Sequence, residues 1–347
     1  MTNYFKDIYI NNNVVIAGPL LKDGPLKGKF DDTYNDYYDG EKTFEDSEIK
    51  ELKKSILYIL RKEQLKKDDI DFFISCDLTN QLMVSNMVAR DINIPYLGVY
   101  SACSSFTEEL IIASLALSSN YNKVICATSG HSNTSERQFR NPIEYGSPKP
   151  DYSTLTVSSA TTCILSNEKR GVRIESATIG RVVDLGIKDS FDMGSAMAPA
   201  AADTLNRHLL DTGRTVDYYD LILTGDLGVF GKKIFKELCK KEYHYNLNNY
   251  NDTATCVYDM SNKKVHAGGS GPSCMPTYLY KEIIPNMING NIKKVLLLAT
   301  GALLNTTSVN QKKSIPCVSH AVSLEAIWFI CVHFYFQGLF VLSESYW

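Results

Sequence analysis

One cysteine sits where a thiol could do chemistry. Cys103 lies in GVYSACSSFTEELIIASLAL, between a short apolar run and a long apolar stretch. Ser105 and Glu108 have the Ser-x-x-Glu spacing of a capping box, which predicts a helix starting at Ser105. Free amides and the dipole at such a helix end favour a thiolate. Burial among apolar side chains opposes it, and a free cysteine often serves as a small core residue. A thiolate nucleophile also needs a base and donors for an oxyanion. His131 follows KVICATSG and His266 precedes GGSG; either reaches Cys103 only if the fold brings those loops together. Otherwise each is a hydrogen-bonded structural histidine. His208 falls in a helix-like stretch and His244 in a polar loop.

Charged side chains mark further candidates. Asp77 and Asp226 close similar runs, ISCDL and LTGDL, where an aspartate binds a ligand or caps the next helix. Arg137 and Arg140 lie on either side of Phe139 in SERQFRNPIEYG. Paired arginines suit a carboxylate ligand, or they form ion pairs with Glu136 or Glu144. The loop GGSGPSC (Gly268–Cys274) lacks the Lys-Ser/Thr of a phosphate loop, so tight turning or close backbone approach explains its glycines. Phe191–Thr204, FDMGSAMAPAAADT, combines small residues with Met197. It either lines a flat apolar slot or packs in the core.

These residues need elements to hold them. Residues 1–45 read as loops and short strands. Glu45–Gln64 carries Ile49, Leu52, Ile56, Leu57 and Leu60 on one stripe, which predicts a helix. Ile70–Asp77, Ile94–Tyr100 and Lys123–Gly130 are short apolar runs suited to strands buried on both faces. Thr107–Ser119 is apolar nearly all round, so it is expected at the centre. Ser153–Ser166 adds strand-like material. Tyr219–Gly228, a helix over PTYLYKEIIPNMI and a strand over Lys293–Leu304 then repeat the theme. Alternating buried strands and helices imply α/β layers, here with an internal duplication at half-chain scale. Ligands in such sheets sit beyond the carboxyl ends of strands, where Asp77, Cys103, Asp226 and Gly268–Cys274 fall.

Composition narrows the partners. The chain has 347 residues, 44% hydrophobic and 22% charged, with net charge −3. That is ordinary globular composition without the basic footprint of a nucleic-acid binder. The nine cysteines form no C-x-x-C pair and the six histidines no H-x-x-x-H pair. A disulfide framework, a zinc site or any other metal site is therefore not expected, and a reducing compartment fits. The N-terminus MTNYFKDIYINNN does not read as a signal peptide.

Several long stretches carry a family resemblance: GPLLKDGPL, DLTNQ, SERQFRNPIEYG, DLGIKDSFDMGSAMAPAAADT, DYYDLILTGDLG and LLLATGALL. With the duplication and the cysteine before a central helix, the chain resembles the thiolase and ketosynthase superfamily from about residue 12 to 324. Within it, the chain is similar to a sporulation branch from endospore-forming Firmicutes. The resemblance implies an α/β class, thiolase-like duplicated αβαβα layered fold. Residues 1–170 would form an N-terminal half carrying Cys103, 171–324 a C-terminal half, and 325–347 an apolar tail.

It also implies non-catalytic binding of dipicolinic acid, or its calcium chelate, during uptake into the developing endospore. No cofactor is expected. The chain would be a peripheral member of a spore inner-membrane assembly, partnered by other stage V sporulation membrane proteins and dimeric by analogy with thiolases. Thiolases carry a catalytic histidine in a glycine-rich loop; the matching GGSGPSCMPT has none, and their second cysteine has no counterpart in LLLATGALL. Cys103 would then be a vestigial nucleophile. The residues expected to bind ligand are Asp77, Asn80, Cys103, His131, Arg137, Met197 and Cys274. Asp77 would act through calcium, a ring-nitrogen proton or by orienting Arg137. The alternative is a thiolase-type acyl transferase using Cys103. After HAVSLE the resemblance ends, and Ala326–Leu342 has only His333 and Gln337 as polar residues. That is close to the length of a membrane span; a membrane anchor, an added packing element and a fused reading frame are the readings it allows.

Overall fold

This computed structural model describes residues 1–139 and 149–327, with backbone only over 136–139. Its frame is a repeated set of strands. The first comprises β1 (Tyr9–Ala17), β2 (Phe72–Cys76), β3 (Tyr96–Gly98), β4 (Lys123–Gly130) and β5 (Ser159–Ser166). The second comprises β6 (Val172–Thr178), β7 (Leu221–Thr224), β8 (Tyr250–Asp252), β9 (Lys294–Ala302) and β10 (Cys317–Ala326). Both run in the order third, second, fourth, fifth, first. In each, the third, second and fourth strands are parallel, and the fifth is antiparallel to its neighbours. The sets meet where Tyr9 and Ile10 of β1 pair with Arg173 and Val172 of β6.

Helices form three layers around these strands. Side chains alternate across a strand, and here each face meets a different core. Val295, Leu297 and Ala299 of β9 face a central cluster, while Leu296 and Leu298 face an outer one. On β4, Val124 and Cys126 join the central cluster and Ile125 and Ala127 the opposite outer one. The middle layer holds α3 (Ser105–Leu117) and the run Cys274–Tyr278, Leu279–Ile283 and Ile284–Ile288, called α7, whose centre is a π turn. α1 (Phe44–Lys62) and α2 (Met83–Ile92) cover the first set, and α4 (Ser132–Phe139) follows β4; α5 (Met193–Thr212) and α6 (Gly228–Tyr243) cover the second. Each buried Leu, Ile or Phe contributes about 1.5–3 kcal/mol, so burial on both faces explains the near-continuous apolar runs.

Several expectations change. The N-terminal stretch, expected as loops and short strands, holds the nine-residue strand β1. Ile94–Tyr100 shortens to β3, because the chain turns at Val99 toward Cys103. The Phe191–Thr204 segment is not a ligand slot. It opens α5, whose small residues pack Ala196, Met197 and Ala200 onto the outer face of the second set beside Leu296 and Leu298. Met197 is therefore a core residue. Arg140 and the apolar tail beyond Ile327 lie outside the described residues, as does the side chain of Arg137. Among the described residues, no helix is long and apolar enough to cross a membrane.

Candidate functional site

Cys103 occupies a tight turn, Ala102–Ser104, between β3 and α3. Ala102 has φ +53, a left-handed conformation that costs an L-residue energy and clusters at functional sites. α3 starts at Ser105 as expected, but not through a capping box. The Ser105 hydroxyl donates to the Ala102 carbonyl and accepts from the Ser101 amide, each at 2.8 Å. Ser105 thus ties the turn itself. Gly301 of β9 lets the turn lie flat on the second set: a Cβ there would overlap the Ser101 carbonyl oxygen and stand 2.7 Å from Ser104 Oγ.

The turn brings Cys103 to residues from the other half. Cys103 is 6% exposed. Burial pushes its thiol well above the ordinary range, the Asp226 carboxyl adds to this, and the amides of Gly271 and Cys103 itself offset it only in part. The helix end does not make a thiolate here. Burial also raises the Cys274 thiol, again with Asp226 adding to it. Cys274 is fully buried at the start of α7, with Thr253 Oγ1 3.7 Å from its sulfur. Cys103, Asp226 and Cys274 therefore form one buried cluster around the Gly271 amide.

The two strand-end aspartates differ in role. Asp77 is a structural cap: one oxygen accepts from the Thr79 amide at 2.7 Å and from the Thr79 hydroxyl, the other from the Ser85 amide at 2.8 Å. Its carboxylate is consumed by its own loop, so it is not free to hold a ligand. Asp226 has no such duty. Asp252 satisfies the matching loop, accepting from the Gly228 amide at 3.0 Å, the Leu227 amide at 3.3 Å and Thr224 Oγ1 at 2.7 Å. Asp226 is fully buried at φ +73, and neither carboxyl oxygen has a partner at hydrogen-bond geometry among the described residues. Burial, then the nearby Asp252, pushes it well above the carboxylate range; the approach of the Gly271 amide and the Cys274 thiol offsets this only in part.

A cleft of about 710 Å³ opens beside this cluster. Leu78, Leu303 and Leu304 give it apolar surface, and Asn80, Asn305 and Lys313 give it polar groups. Tyr100 lines the cleft and is influenced by Cys103. Leu78 lies 4.0 Å from where a Cβ on Gly271 would stand. The cleft and the cysteine cluster are thus one layer apart. Gln81 and Leu82 at its rim have φ +56 and +57.

This arrangement can be compared with known proteins. The family model for Stage V sporulation protein AD matches residues 2–325. The Bacillus subtilis (strain 168) Stage V sporulation protein AD is 42% identical over 319 residues, covering 92% of this chain and 94% of that one. The chain belongs to the Stage V sporulation protein AD family. Solved structures with the same fold are enzymes. 3-Oxoacyl-[acyl-carrier-protein] synthase III from Aquifex aeolicus VF5 aligns at TM-score 0.55 and 13% identity, over 92% of this chain and 99% of that one. A single-substitution variant of OleA from Xanthomonas campestris aligns at TM-score 0.61 and 14% identity, over 94% and 98%. At such identity the likeness establishes the thiolase-like fold alone.

In this member of the Stage V sporulation protein AD family, His131, His208 and His266 have partners other than Cys103. His131 is buried; its Nε2 is 2.8 Å from the Tyr37 carbonyl oxygen and its Nδ1 accepts from the Asn133 amide at 3.3 Å. Tyr37 and Phe44 pack on its ring. His266 Nδ1 lies 4.0 Å from Asp151. His208 bridges Thr178 and Tyr219 at 2.7 and 2.6 Å. Of the residues expected to bind ligand, the structure places Asn80 on the cleft and brings Cys103 together with Cys274. It assigns Asp77, His131 and Met197 to the scaffold. Asp226 is not among the residues expected to bind ligand; its motif looks like Asp77's, and Asp252, remote in sequence but close in the fold, holds the loop in its place.

Proposed function

We propose that the protein binds dipicolinic acid, or its calcium chelate, in this cleft during uptake into the developing endospore. It would act as a non-catalytic peripheral component at the spore inner membrane, beside other stage V sporulation membrane proteins. The observation that carries this reading is the chemistry of the cleft. Among its described lining residues, Lys313 is the one cation and none is a carboxylate, while amides and hydroxyls surround apolar leucines. A flat ring with two carboxylates needs that combination: donors for its oxygens and a narrow apolar surface for its face. The neutral, buried thiol of Cys103 and the engagement of the histidines elsewhere support binding over acyl transfer.

Calorimetric titration of the full chain with dipicolinate, with and without calcium, tests the reading. Saturable binding is expected, weakened about tenfold in Lys313→Ala, since a charge-assisted hydrogen bond contributes about 1.5–3 kcal/mol. Absence of binding by folded protein would overturn it. So would a thioester donor that acylates Cys103 stoichiometrically.

A further inference from the structure

We propose that the outer face of α6 docks the protein on an anionic lipid bilayer. This deepens the peripheral placement proposed above and rests on it. The starting observation is how lysines are used on two helices. Along α1, Lys50, Lys53, Lys54 and Lys62 each meet a carboxylate at 2.9–3.2 Å, from Asp39, Asp91, Asp32 and Asp31 in turn. Those charges close on the protein itself. α6 carries five lysines, Lys232, Lys233, Lys236, Lys240 and Lys241, against Glu237 and Glu242, a net charge of +3 in a chain of net charge −3. Lys232 donates to Asn251 Oδ1 at 2.5 Å, and Lys241 pairs with Glu237 at 3.2 Å. Lys233, Lys236 and Lys240 are exposed and have no carboxylate at ion-pair distance among the described residues. They recur at helical spacing on the side away from the buried Gly231, Phe235 and Cys239. Lys263 and Lys264, also exposed, stand in the loop leading to Ala267, whose carbonyl accepts from the Val229 amide at 2.9 Å in the first turn of α6.

Cations alone do not choose a partner. The same face holds Phe230, 43% exposed, with the Lys233 ammonium 5.9 Å from its ring centre. A groove of about 290 Å³ lies beside it, with Ile234 and Leu238 as its apolar surface between Lys233 and Lys241. A surface that rests on a bilayer combines these features: lysines at the headgroups and an aromatic or aliphatic side chain at the acyl boundary. A second copy would set the lysines against one another across a two-fold axis. An acidic protein suits the face less well. Protein interfaces are enriched in arginine and depleted of lysine, and every cation of α6 is a lysine, whose flexible point charge matches a diffuse anionic surface. The helix lies on the bilayer without entering it, because its own apolar stripe, Phe235 and Cys239, stays in the core with Leu296 and Leu298.

The experiment is co-sedimentation of the full chain with vesicles of phosphatidylcholine alone and of phosphatidylcholine mixed in equal parts with phosphatidylglycerol, at rising salt. Wild type should prefer the mixed vesicles and lose that preference as salt screens it. The triple variant Lys233→Gln, Lys236→Gln, Lys240→Gln should partition about a hundredfold more weakly, since each lysine near such a surface contributes about fivefold. Phe230→Ala should weaken partition about fivefold through lost apolar burial. A matched variant, Lys50→Gln, Lys53→Gln, Lys54→Gln, removes the same charge from α1. It should partition within about twofold of wild type, because those lysines are already paired. Thermal midpoints close to wild type in every variant show that the fold is kept. Equal partition of wild type to neutral and mixed vesicles overturns the proposal, and so do equal losses in the two triple variants. An α6 triple variant that partitions like wild type also overturns it and locates attachment elsewhere in the chain. If that variant leaves the membrane fraction of sporulating cells while purified wild type ignores vesicles, the face binds an acidic protein; the lipid proposal falls and the peripheral placement stands. Absence of wild type from that fraction overturns the placement, and this proposal with it.

Discussion

Glu48 and Glu51 lie one turn apart on α1, and burial pushes each carboxyl up to about 8, with Asp77 adding to the first and Asp39 to the second. Glu48 accepts from Ser129 Oγ at 2.9 Å and Thr134 Oγ1 at 2.6 Å, whereas Glu51 faces Asp39 and neither of its oxygens meets hydrogen-bond geometry with a described residue. In the unfolded chain both titrate near 4.5. Between those values the folded protein keeps protons that the unfolded chain releases. Their effect is therefore least costly below the unfolded value and destabilises as pH rises toward about 8. Burial holds His208 and His320 at about 4, which acts oppositely but only below about 6.5. The thermal midpoint should thus fall by a few degrees from about pH 6.5 to 8, and Glu51→Gln should flatten that slope. A level wild-type curve in scanning calorimetry would contradict this. Glu175 sets the acid side. Burial alone would raise it, but Arg214 at 2.8 and 2.9 Å, with Tyr218 and Ser323, holds it at about 2. Its stabilisation is present above about 4.5 and is lost as pH falls toward 2. Glu175→Gln should cost about 2–3 kcal/mol at neutral pH and little near pH 2, as read by denaturant titration at both. Sequence singled out Cys103 through its position before an apolar helix. It gave no sign that Asp226 would be free, because Asp252 enters from a different strand.

At the scale of elements, apolar runs marked the strands buried on both faces, and they concealed those that polar residues stabilise. β1 reads YINNNVVIA, and its asparagines suggest a loop. In the structure Asn11 donates to the carbonyls of Glu168 and Arg170 at 2.9 Å each and accepts from Ser166 Oγ at 2.6 Å. Its amide binds the connection between the two strand sets, and the register of β1 shifts there against β5. That contact joins residues far apart in sequence, so no local pattern announces it. The ends of strands are shaped by close backbone approach instead. Gly301→Ala should destabilise by about 1–3 kcal/mol and weaken dipicolinate binding, since the added methyl pushes the Cys103 turn off β9. Unchanged unfolding and unchanged titration would show that the turn yields without consequence. A similar approach joins α5 to α6, where a Cβ on Gly231 would stand 2.6 Å from the Gly194 carbonyl oxygen.

The whole molecule is a duplication whose halves share one centre. Phe106, Leu110 and Ile111 of α3 and Leu279, Tyr280 and Ile283 of α7 belong to the same cluster, which strands of both sets enclose. Neither half can bury its central helix alone. Residues 1–170 or 171–327 expressed separately should give no cooperative unfolding transition, while co-expression should restore one. A sharp transition in either fragment would show independent folding. The repeat ISCDL and LTGDL correctly pointed to this symmetry. It did not disclose that the copies had parted in role. A repeated fold holds two versions of each strand end, and here Asp252 has relieved one of them of holding its loop. Selection for shape then falls on Asp77 in one copy and on Asp252 in the other. In a saturation library, position 77 should tolerate almost nothing in a screen for folded protein. Position 226 should tolerate much in that screen, so it is where a descendant of this scaffold could vary without first losing its form.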